Sequence, residues 1–337
     1  MRSRGQRRER WPRASTRSAN SFNDYYKNTR TRRYGGSDRG RSFQCEPGRL
    51  QDSRGDLPAF APEFPAIIHC DVAGVVDAIG DDVEEFEPGD EVYGMAGGVA
   101  GHPGALAEYM IADADVIAPA PESLSLTEAA TLPVVALTAW EMLVDKANVS
   151  SEDTVLVYGG SGGVGHMGVQ IASSLGARVV ATGATEEKRA IAEELGADAT
   201  VDYTNESVEE YVERHTDGVG FDVVFDPIGD DHLQTSFEAV RPYGRVVTTE
   251  SSSTQELGAM HENALSLDVV LVLVPLLQGQ WHNRLGSELE EIADLVDSGA
   301  VEPLLDDQRF GFSEVGEAHS RLEASEHVDK IALENDF

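Results

Sequence analysis

A cluster of glycines behind a short apolar segment has the clearest chemical meaning in the sequence. Gly160, Gly162 and Gly165 have the spacing G-x-G-x-x-G and follow Val155-Leu156-Val157. We expect the first glycine to permit a tight turn, the second to let the backbone approach a pyrophosphate, and the third to let a helix pack closely on a strand. Free N–H groups at the start of that helix would face the anion. The segment predicts dinucleotide binding by Gly159, Gly160, Ser161, Gly162, Gly163, Val164 and Gly165.

Alternating strands and helices would position this loop. Apolar residues recur at helical spacing after the glycines, and residues 177–183 are predicted to form a second strand, which completes a βαβ unit. Residues 221–229 and 244–249 are predicted to contain the fourth and fifth parallel strands, and residues 269–274 the sixth. The carboxyl ends of such strands face the cofactor crevice. The sequence therefore predicts the α/β class, with a doubly wound parallel sheet.

Short strands separated by Pro/Gly turns precede the glycine loop. They are predicted within residues 64–80, which alternate like a strand pair, and within 86–94 and 104–110. This pattern is typical of a small β-barrel placed before a nucleotide-binding domain. Near the end of the chain a helix over 287–298 precedes strands near Phe310 and over 330–333, which are predicted to return to the barrel.

The composition indicates the cellular compartment and the salt concentration in which the protein works. No run approaches the roughly 20 apolar residues that a membrane span needs, and two cysteines in 337 residues indicate a reducing, cytoplasmic compartment. Residues 1–54 contain 15 of the 26 basic residues and 5 of the 60 acidic ones, so the remainder carries 11 basic against 55 acidic residues. A body this acidic indicates a halophilic protein, because molar salt screens the self-repulsion.

The basic arm at residues 1–53 differs from the rest of the chain. Its Arg-rich segments lack apolar periodicity, so the arm is predicted to be disordered. One alternative is that the arm binds RNA. Contacts to phosphates weaken steeply, however, in the molar salt that the acidic composition of the rest of the chain indicates. The other is a frame error near the start of the gene. Codons for residues 44–53, read one nucleotide later, can spell Ser-Ala-Asn-Pro-Val-Asp-Tyr-Lys-Ile-Arg.

Several motifs in order resemble the medium-chain dehydrogenase/reductase superfamily, and within it the zinc-free quinone oxidoreductases of the zeta-crystallin-like branch. The resemblance runs from about Arg54 to Leu333. It rests on Phe64-Pro65-Ala66-Ile67 through Gly74-Val75-Val76, on Pro88-Gly89-Asp90-Glu91-Val92, on Gly104-Ala105-Leu106-Ala107-Glu108-Tyr109, on Ala129-Ala130-Thr131-Leu132-Pro133 with Leu137-Thr138-Ala139-Trp140, and on the glycine loop.

This resemblance implies a GroES-like barrel combined with a Rossmann domain and an active site in the cleft between them. It implies residues 54–136 and 284–337 for the catalytic domain and 137–283 for the Rossmann domain. It also implies NAD(P)H-dependent reduction of quinones or of enone double bonds, and a homodimer to which the sixth strand contributes. Relatives carry Asn-Pro-x-Asp just before the equivalent of Arg54. The shifted frame would supply that segment, which favours the frame error.

Metal binding is not predicted. Zinc-dependent relatives have Gly-His-Glu where this chain has His69-Cys70-Asp71, and they also have an earlier Cys ligand. Many of them carry a lobe with four cysteines, which this chain lacks. Neighbours on a strand point to opposite faces, so the three side chains cannot easily converge. Cys70 is expected to be a small core residue. An alcohol dehydrogenase that uses zinc at Cys70 remains the alternative. His166 is expected on a helix surface, with phosphate binding as its alternative.

The cofactor preference depends on residues after the second strand. An NAD-selective site places Asp or Glu there, whereas this chain has Thr182-Gly183-Ala184-Thr185. By resemblance, Lys188 and Tyr203 match positions that hold the 2′-phosphate and adenosine of NADPH. NADPH is therefore favoured over NADH, although Glu186 and Glu187 weaken the case.

Without a metal, hydride transfer must rely on positioning and on polarisation of the substrate oxygen. By family position Thr138 is expected near the nicotinamide ribose, and Tyr93 is expected to line the substrate cleft. Both residues could equally serve packing. Partners other than a small quinone or enone and a second copy of the chain are not expected, neither a membrane nor nucleic acid.

Overall fold

The computed structural model of the protein describes residues 28–32, 40–42, 62, 65–99, 101–324 and 330–336. Its strands are, in chain order, β1 (Asn28–Arg32), β2 (Gly40–Ser42), β3 (Asp71–Ile79), β4 (Glu91–Met95), β5 (Tyr109–Asp113), β6 (Ile117–Pro119), β7 (Thr154–Val157), β8 (Arg178–Thr182), β9 (Ala199–Val201), β10 (Phe221–Asp226), β11 (Val240–Thr248), β12 (Ser266–Val269), β13 (Phe310–Gly311) and β14 (Ala332–Glu334).

The α-helices connect and cover these strands. They are α1 (Leu126–Ala129), α2 (Pro133–Trp140), α3 (Gly163–Ser174), α4 (Glu186–Glu194), α5 (Val208–Thr216), α6 (Leu233–Ala239), α7 (Gly258–Asn263), α8 (Val274–Gln278), α9 (His282–Asp297) and α10 (Val315–Glu323). A π-helical turn, Glu141–Lys146, continues α2.

The central sheet has six parallel strands in the order β12-β11-β10-β7-β8-β9. Its two faces carry separate cores, because successive side chains of a strand point in opposite directions. Val155 and Val157 pack with the core that includes α3, whereas Leu156 and Tyr158 pack with Tyr211 of α5 and Phe237 of α6. Helices on both faces of a parallel sheet confirm the predicted doubly wound α/β class.

The barrel portion consists of two smaller sheets. One has the order β5-β1-β3-β4-β6 with antiparallel neighbours, and the other has the order β13-β14-β2. The strands β13 and β14 come from the end of the chain, near the strands predicted at Phe310 and over 330–333, and they share a sheet with β2. Helix α9 begins at His282, several residues before the predicted start at 287.

The expected disorder of the whole basic arm is wrong for eight of its residues. The strand β1 pairs with both β3 and β5, and β2 pairs with β14. The physical reason is that β3 and β5 otherwise present unpaired backbone groups to each other, and an extended segment satisfies both edges. The rest of residues 1–53 lies outside the described residues, as does residue 64 of the predicted strand pair. The described part of that pair is instead a single strand, β3, preceded by irregular chain.

The predicted sixth strand is also corrected. The strand β12 ends at Val269, the chain turns over Val270–Leu273, and α8 begins at Val274. A short apolar run has no periodicity that distinguishes a strand from other buried chain. Here the run leaves the sheet because its side chains line a cavity at the carboxyl edge, as described below.

His282 ties three elements together at the start of α9. Its Nδ1 lies 2.9 Å from Oδ2 of Asp113 at the end of β5, and its Nε2 lies 3.1 Å from the carbonyl oxygen of Pro275 in α8. Both partner oxygens accept hydrogen bonds, so the ring makes both bonds only as an imidazolium. The hydrogen bond to Asp113, opposed by burial, raises the pKa of His282 above its usual value.

This geometry predicts a pH-dependent contribution to stability. A raised pKa in the folded state adds stability that is present below the unfolded pKa of about 6.5 and is lost as the pH rises through the folded pKa. We expect His282→Gln to lower the free energy of unfolding by about 1.5–3 kcal/mol near pH 6 and by clearly less near pH 9. Urea unfolding at both pH values measures this, with His261→Gln at an exposed site as the control. A difference that is constant with pH would contradict the prediction.

Candidate active site

A cavity of about 440 Å³ lies at the carboxyl edge of the parallel sheet, where α3 begins. The glycine loop forms one wall, residues that follow β10 and β11 form the next, and the apolar turn Val270–Leu273 forms another. Barrel residues such as Cys70, and Val134 and Thr138 of α2, complete it. The cavity therefore lies between the two portions of the chain, at the place where open parallel sheets bind ligands.

The glycine loop has the close contacts that the spacing predicts, but the residue that forms the tight turn is one position earlier than predicted. The turn residue is Gly159, whose φ of +64° favours glycine, whereas Gly160 has no positive φ. A Cβ at Gly160 would lie 2.7 Å from the Cβ of Ala181, and a Cβ at Gly165 would collide with the carbonyl oxygen of Gly159. Gly160 is thus needed for close packing under the turn rather than for the turn itself.

The start of α3 faces the cavity with backbone groups. Gly162 is the N-cap residue and has no side chain that could cap the helix. Gly162, Gly163, Val164 and Gly165 all line the cavity, and Ser161 lies half-buried in the turn before them. The first N–H groups of a helix lack partners within the helix and carry partial positive charge. This arrangement can hold the pyrophosphate of a dinucleotide.

The predicted adenosine site follows two neighbouring strands. In the register of the sheet Thr182 of β8 lies opposite Val201 of β9, so the residues just after each strand lie at the same edge. Thr185 caps α4 by accepting a hydrogen bond from the N–H of Lys188, whose side chain is exposed, and Tyr203 is 54% exposed. The structure brings these three residues to the edge that also carries the glycine loop.

Another basic residue at this edge has an internal partner. Arg189 forms an ion pair of 3.0 Å with Asp202 and donates to the carbonyl oxygen of Gly183. The hydroxyl of Thr182 accepts a hydrogen bond from the N–H of Gly159 and so fixes the turn. Residues 183–185, directly after β8, include no acidic residue, and Asp202, which follows β9, is paired with Arg189.

The two residues predicted for catalysis lie in different surroundings. Thr138 lines the cavity from α2, and its hydroxyl donates to the carbonyl oxygen of Val134 at 2.6 Å. Tyr93 is fully buried, and its hydroxyl donates to the carbonyl oxygen of Leu289 in α9 at 2.6 Å. Burial raises the pKa of Tyr93 far above its usual value. The cleft role expected for Tyr93 is corrected to packing, because the side chain lies on the face of β4 that meets α9.

His166 is also corrected. It is fully buried rather than on a helix surface, and its Nδ1 lies 3.1 Å from the carbonyl oxygen of Gly162. Its Nε2 accepts a hydrogen bond from the N–H of Leu304 at 3.4 Å. His166 therefore joins the start of α3 to the C-terminal part of the chain and does not face a phosphate.

Comparison with known proteins agrees with this architecture. Residues 48–122 match the family described as alcohol dehydrogenase GroES-like domain, and residues 163–282 match the family described as zinc-binding dehydrogenase. A mitochondrial NAD(P)H oxidoreductase of Danio rerio is 32% identical over 279 residues, which cover 77% of this chain and 70% of the relative. The chain belongs to the medium-chain dehydrogenase/reductase superfamily. The predicted oxidoreductase class and the GroES-like and Rossmann domains are confirmed.

Other members of the superfamily extend the comparison. A chloroplastic NADPH-dependent alkenal/one oxidoreductase of Arabidopsis thaliana is 31% identical over 286 residues, which cover 83% of this chain and 67% of the relative. The crystal structure of an alcohol dehydrogenase superfamily protein from Novosphingobium aromaticivorans has a TM-score of 0.85 and 33% identity, with 95% of each chain covered. The Escherichia coli quinone oxidoreductase in complex with NADPH, at 21% identity and a TM-score of 0.77 over 92% of each chain, shares the fold.

The superfamily includes proteins described as zinc-binding, and two of the candidate ligands of this chain have other contacts in the structure. Oδ1 of Asp71 accepts a hydrogen bond from the N–H of Val134 at 2.8 Å, and its Oδ2 lies 3.8 Å from Nζ of Lys330. Nε2 of His69 lies 3.3 Å from Nε2 of His319. Within the described ranges no group of three or more His, Cys, Asp or Glu side chains is arranged to hold a metal ion.

Two buried charged residues near the cavity, Lys330 and Asp226, were not predicted from the sequence. Lys330 lines the cavity and pairs with Asp71, whose pKa is raised by burial against the opposing effect of the ammonium. Asp226 ends β10 with a fully buried carboxylate, and His232 contacts it at 3.2 Å. No local sequence pattern marks Lys330, because its partner Asp71 is distant in the chain and the two residues meet only in the folded protein. For Asp226, its place at the carboxyl end of a predicted parallel strand indicated a position near the crevice.

The contact between Gly165 and Gly159 predicts the effect of a single methyl group. We expect Gly165→Ala to displace the loop and to raise the dissociation constant of the nicotinamide cofactor at least about tenfold, because the pyrophosphate loses its backbone donors. Fluorescence titration with NADPH measures this. Gly316→Ala in α10 is the matched control, since a Cβ there meets no atom within 4 Å. Unchanged affinity in Gly165→Ala would contradict the assignment of the loop.

Proposed function

We propose that the protein is a zinc-free, NADPH-dependent reductase of quinones or of carbon–carbon double bonds conjugated to a carbonyl group. The observation that carries the proposal is the cavity itself. It joins a glycine loop with free helix N–H groups to an apolar wall, while the candidate zinc ligands have other partners. Relatives described as alkenal/one oxidoreductase and as 2-methylene-furan-3-one reductase support the same substrate class.

The residues of the cavity fit the steps of such a reaction. When bound, NADPH supplies the hydride. The backbone N–H groups of Gly163 and Val164 would hold the pyrophosphate, and the hydroxyl of Thr138, which lines the same cavity, would orient the nicotinamide ribose. Val270, Leu271 and Val272 provide an apolar surface for a quinone ring or an enone and reduce the access of water.

An activity assay with a chelator separates this proposal from its rival. We expect the purified protein to oxidise NADPH when a quinone or an enone is added, and the enone product to retain its carbonyl group while its double bond is saturated. The rate should remain within about twofold after dialysis against EDTA, because no step requires a Lewis acid. Mass spectrometry of the product and the initial rate are the two measurements.

Two outcomes would favour other functions. Loss of activity on chelation, with recovery on addition of Zn²⁺ and formation of an alcohol, would indicate a zinc-dependent alcohol dehydrogenase. Absence of reductase activity together with RNA binding that persists in molar KCl would favour a nucleic-acid function for the basic arm.

The preference for NADPH rests on the exposed edge after β8 and β9. Thr185 and Lys188 stand where a carboxylate would hold the ribose hydroxyls of NAD, and Tyr203 can stack on the adenine. The ammonium of Lys188 would supply the positive charge for a 2′-phosphate, whereas the guanidinium of Arg189 is engaged by Asp202. Glu186 and Glu187 reduce this preference without removing it.

Substitution of Lys188 tests the preference. We expect Lys188→Ala to raise KM for NADPH about five- to tenfold and to leave KM for NADH within about twofold, because only NADPH carries the 2′-phosphate. Lys146→Ala is the control, since Lys146 is also a lysine at the surface and pairs with Glu141. Steady-state kinetics with both cofactors measure the ratio. An equal effect on NADPH and NADH would argue against a 2′-phosphate site at Lys188.

We infer further that the protein works as a cytoplasmic homodimer in molar salt. The sheet ends at β12 with Val269 48% exposed and Leu271 41% exposed, so a second copy can cover this edge. The net charge of −34 supports the halophilic character. No helix among the described residues is both long and apolar enough to cross a membrane.

A further inference from the structure

We propose that His232 is a positioning residue for the cofactor crevice: it ties the loop after β10 to the residue that enters the glycine turn, and so sets the affinity for NADPH. The inference rests on the proposed function for the identity of the cofactor. It concerns a residue outside the glycine motif, on a short 3₁₀ turn, Asp230–His232.

The carboxylate of Asp226 organises the loop. Its Oδ1 accepts hydrogen bonds from the N–H groups of Ile228 and Gly229, both at 3.0 Å. Its Oδ2 accepts from the hydroxyl of Ser236 at 2.6 Å and from Nδ1 of His232 at 3.2 Å. Burial alone would raise the pKa of Asp226, yet the hydrogen bonds from His232, Ser236 and Gly229 hold it below its usual value. The group is therefore an ionised acceptor for all four donors.

The same bonds fix the protonation of His232. An ionised carboxylate can only accept, so Nδ1 of His232 must carry a hydrogen atom. The ring is then held in one orientation, and its side chain is 25% exposed. In this orientation the ring meets Tyr158 edge to face, with centroids 4.3 Å apart and an interplanar angle of 89°.

Tyr158 leads directly into the glycine turn. Its N–H donates to the carbonyl oxygen of Phe225, and its hydroxyl shares a 3.0 Å hydrogen bond with Tyr211. Tyr158 and Gly159 both line the cavity, as do Pro227 and Ile228 on the other side of His232. His232 thus contacts Tyr158 of one wall directly and reaches Ile228 of the other wall through the carboxylate of Asp226, whereas Ser236 contacts only that carboxylate among these groups.

The loop has a second anchor, which makes the contribution of His232 separable from the fold. The hydroxyl of Thr249 donates to the carbonyl oxygen of Pro227 at 3.1 Å, so the loop remains attached to β11 if the bond from His232 is lost. We therefore expect His232 variants to fold and to differ from the wild type in cofactor affinity.

Two substitutions at His232 separate its two contacts. His232→Phe keeps an aromatic ring against Tyr158 and removes the donor, whereas His232→Asn keeps a donor at the place of Nδ1. We expect each substitution to raise the dissociation constant and KM for NADPH about tenfold with kcat within about twofold, because each breaks one of the two contacts that join the loop to Tyr158. Ser236→Ala is the matched control, because it removes a donor from the same oxygen. It should lower the melting temperature and leave NADPH affinity within about twofold.

NADPH fluorescence titration, steady-state kinetics and thermal unfolding of the full-length protein give these values. Wild-type affinity in either His232 variant would overturn the inference, as would an equal loss in Ser236→Ala, because a loss shared with that control would mean that only the folded carboxylate site matters. If the folded wild-type protein bound no NADPH, the proposed function would fail first and this inference with it.

Discussion

Helix α3 approaches the end of β7 so closely that Gly165 lies against the carbonyl oxygen of Gly159, and the geometry of the crevice depends on this contact. Because the helix begins directly above the strand, its free N–H groups point into the cavity rather than into solvent. The same contact places Gly168 against Phe225 of β10 and so fixes the neighbouring strand. The position of the anion site is therefore set by backbone packing, with few side chains involved.

Buried charge joins the barrel to the crevice. Asp71, at the first residue of β3, bonds the start of α2, and Lys330 reaches the same carboxylate from the C-terminal return. A buried ion pair is costly to desolvate and stabilises a fold only when its geometry is well satisfied. Asp71 of this pair accepts a hydrogen bond from the first turn of α2, the helix that carries Thr138, and so fixes the start of one wall of the cavity. The structure thus uses polar contacts where the two parts of the chain must keep a defined relative position.

The sequence allowed the parallel sheet, the glycine loop and the returning strands to be predicted, because each has a local pattern of spacing or alternation. It failed where the outcome depends on tertiary contacts. Residues 269–274 form an apolar run that suits a strand as well as a cavity wall, and the alternation around Tyr93 does not show which face meets α9. Lys330 and His232 could not have been assigned, since their partners become neighbours only after folding.

The backbone anion site lies in a protein whose overall charge opposes its own ligand. A dinucleotide phosphate must approach a body with a large excess of carboxylates before it reaches the dipole of α3, and that dipole acts only over the last few ångströms. Long-range repulsion opposes both the approach and the binding of an anionic ligand. We expect added salt to screen this repulsion and to speed the association of the cofactor, the reverse of the usual electrostatic steering between opposite charges.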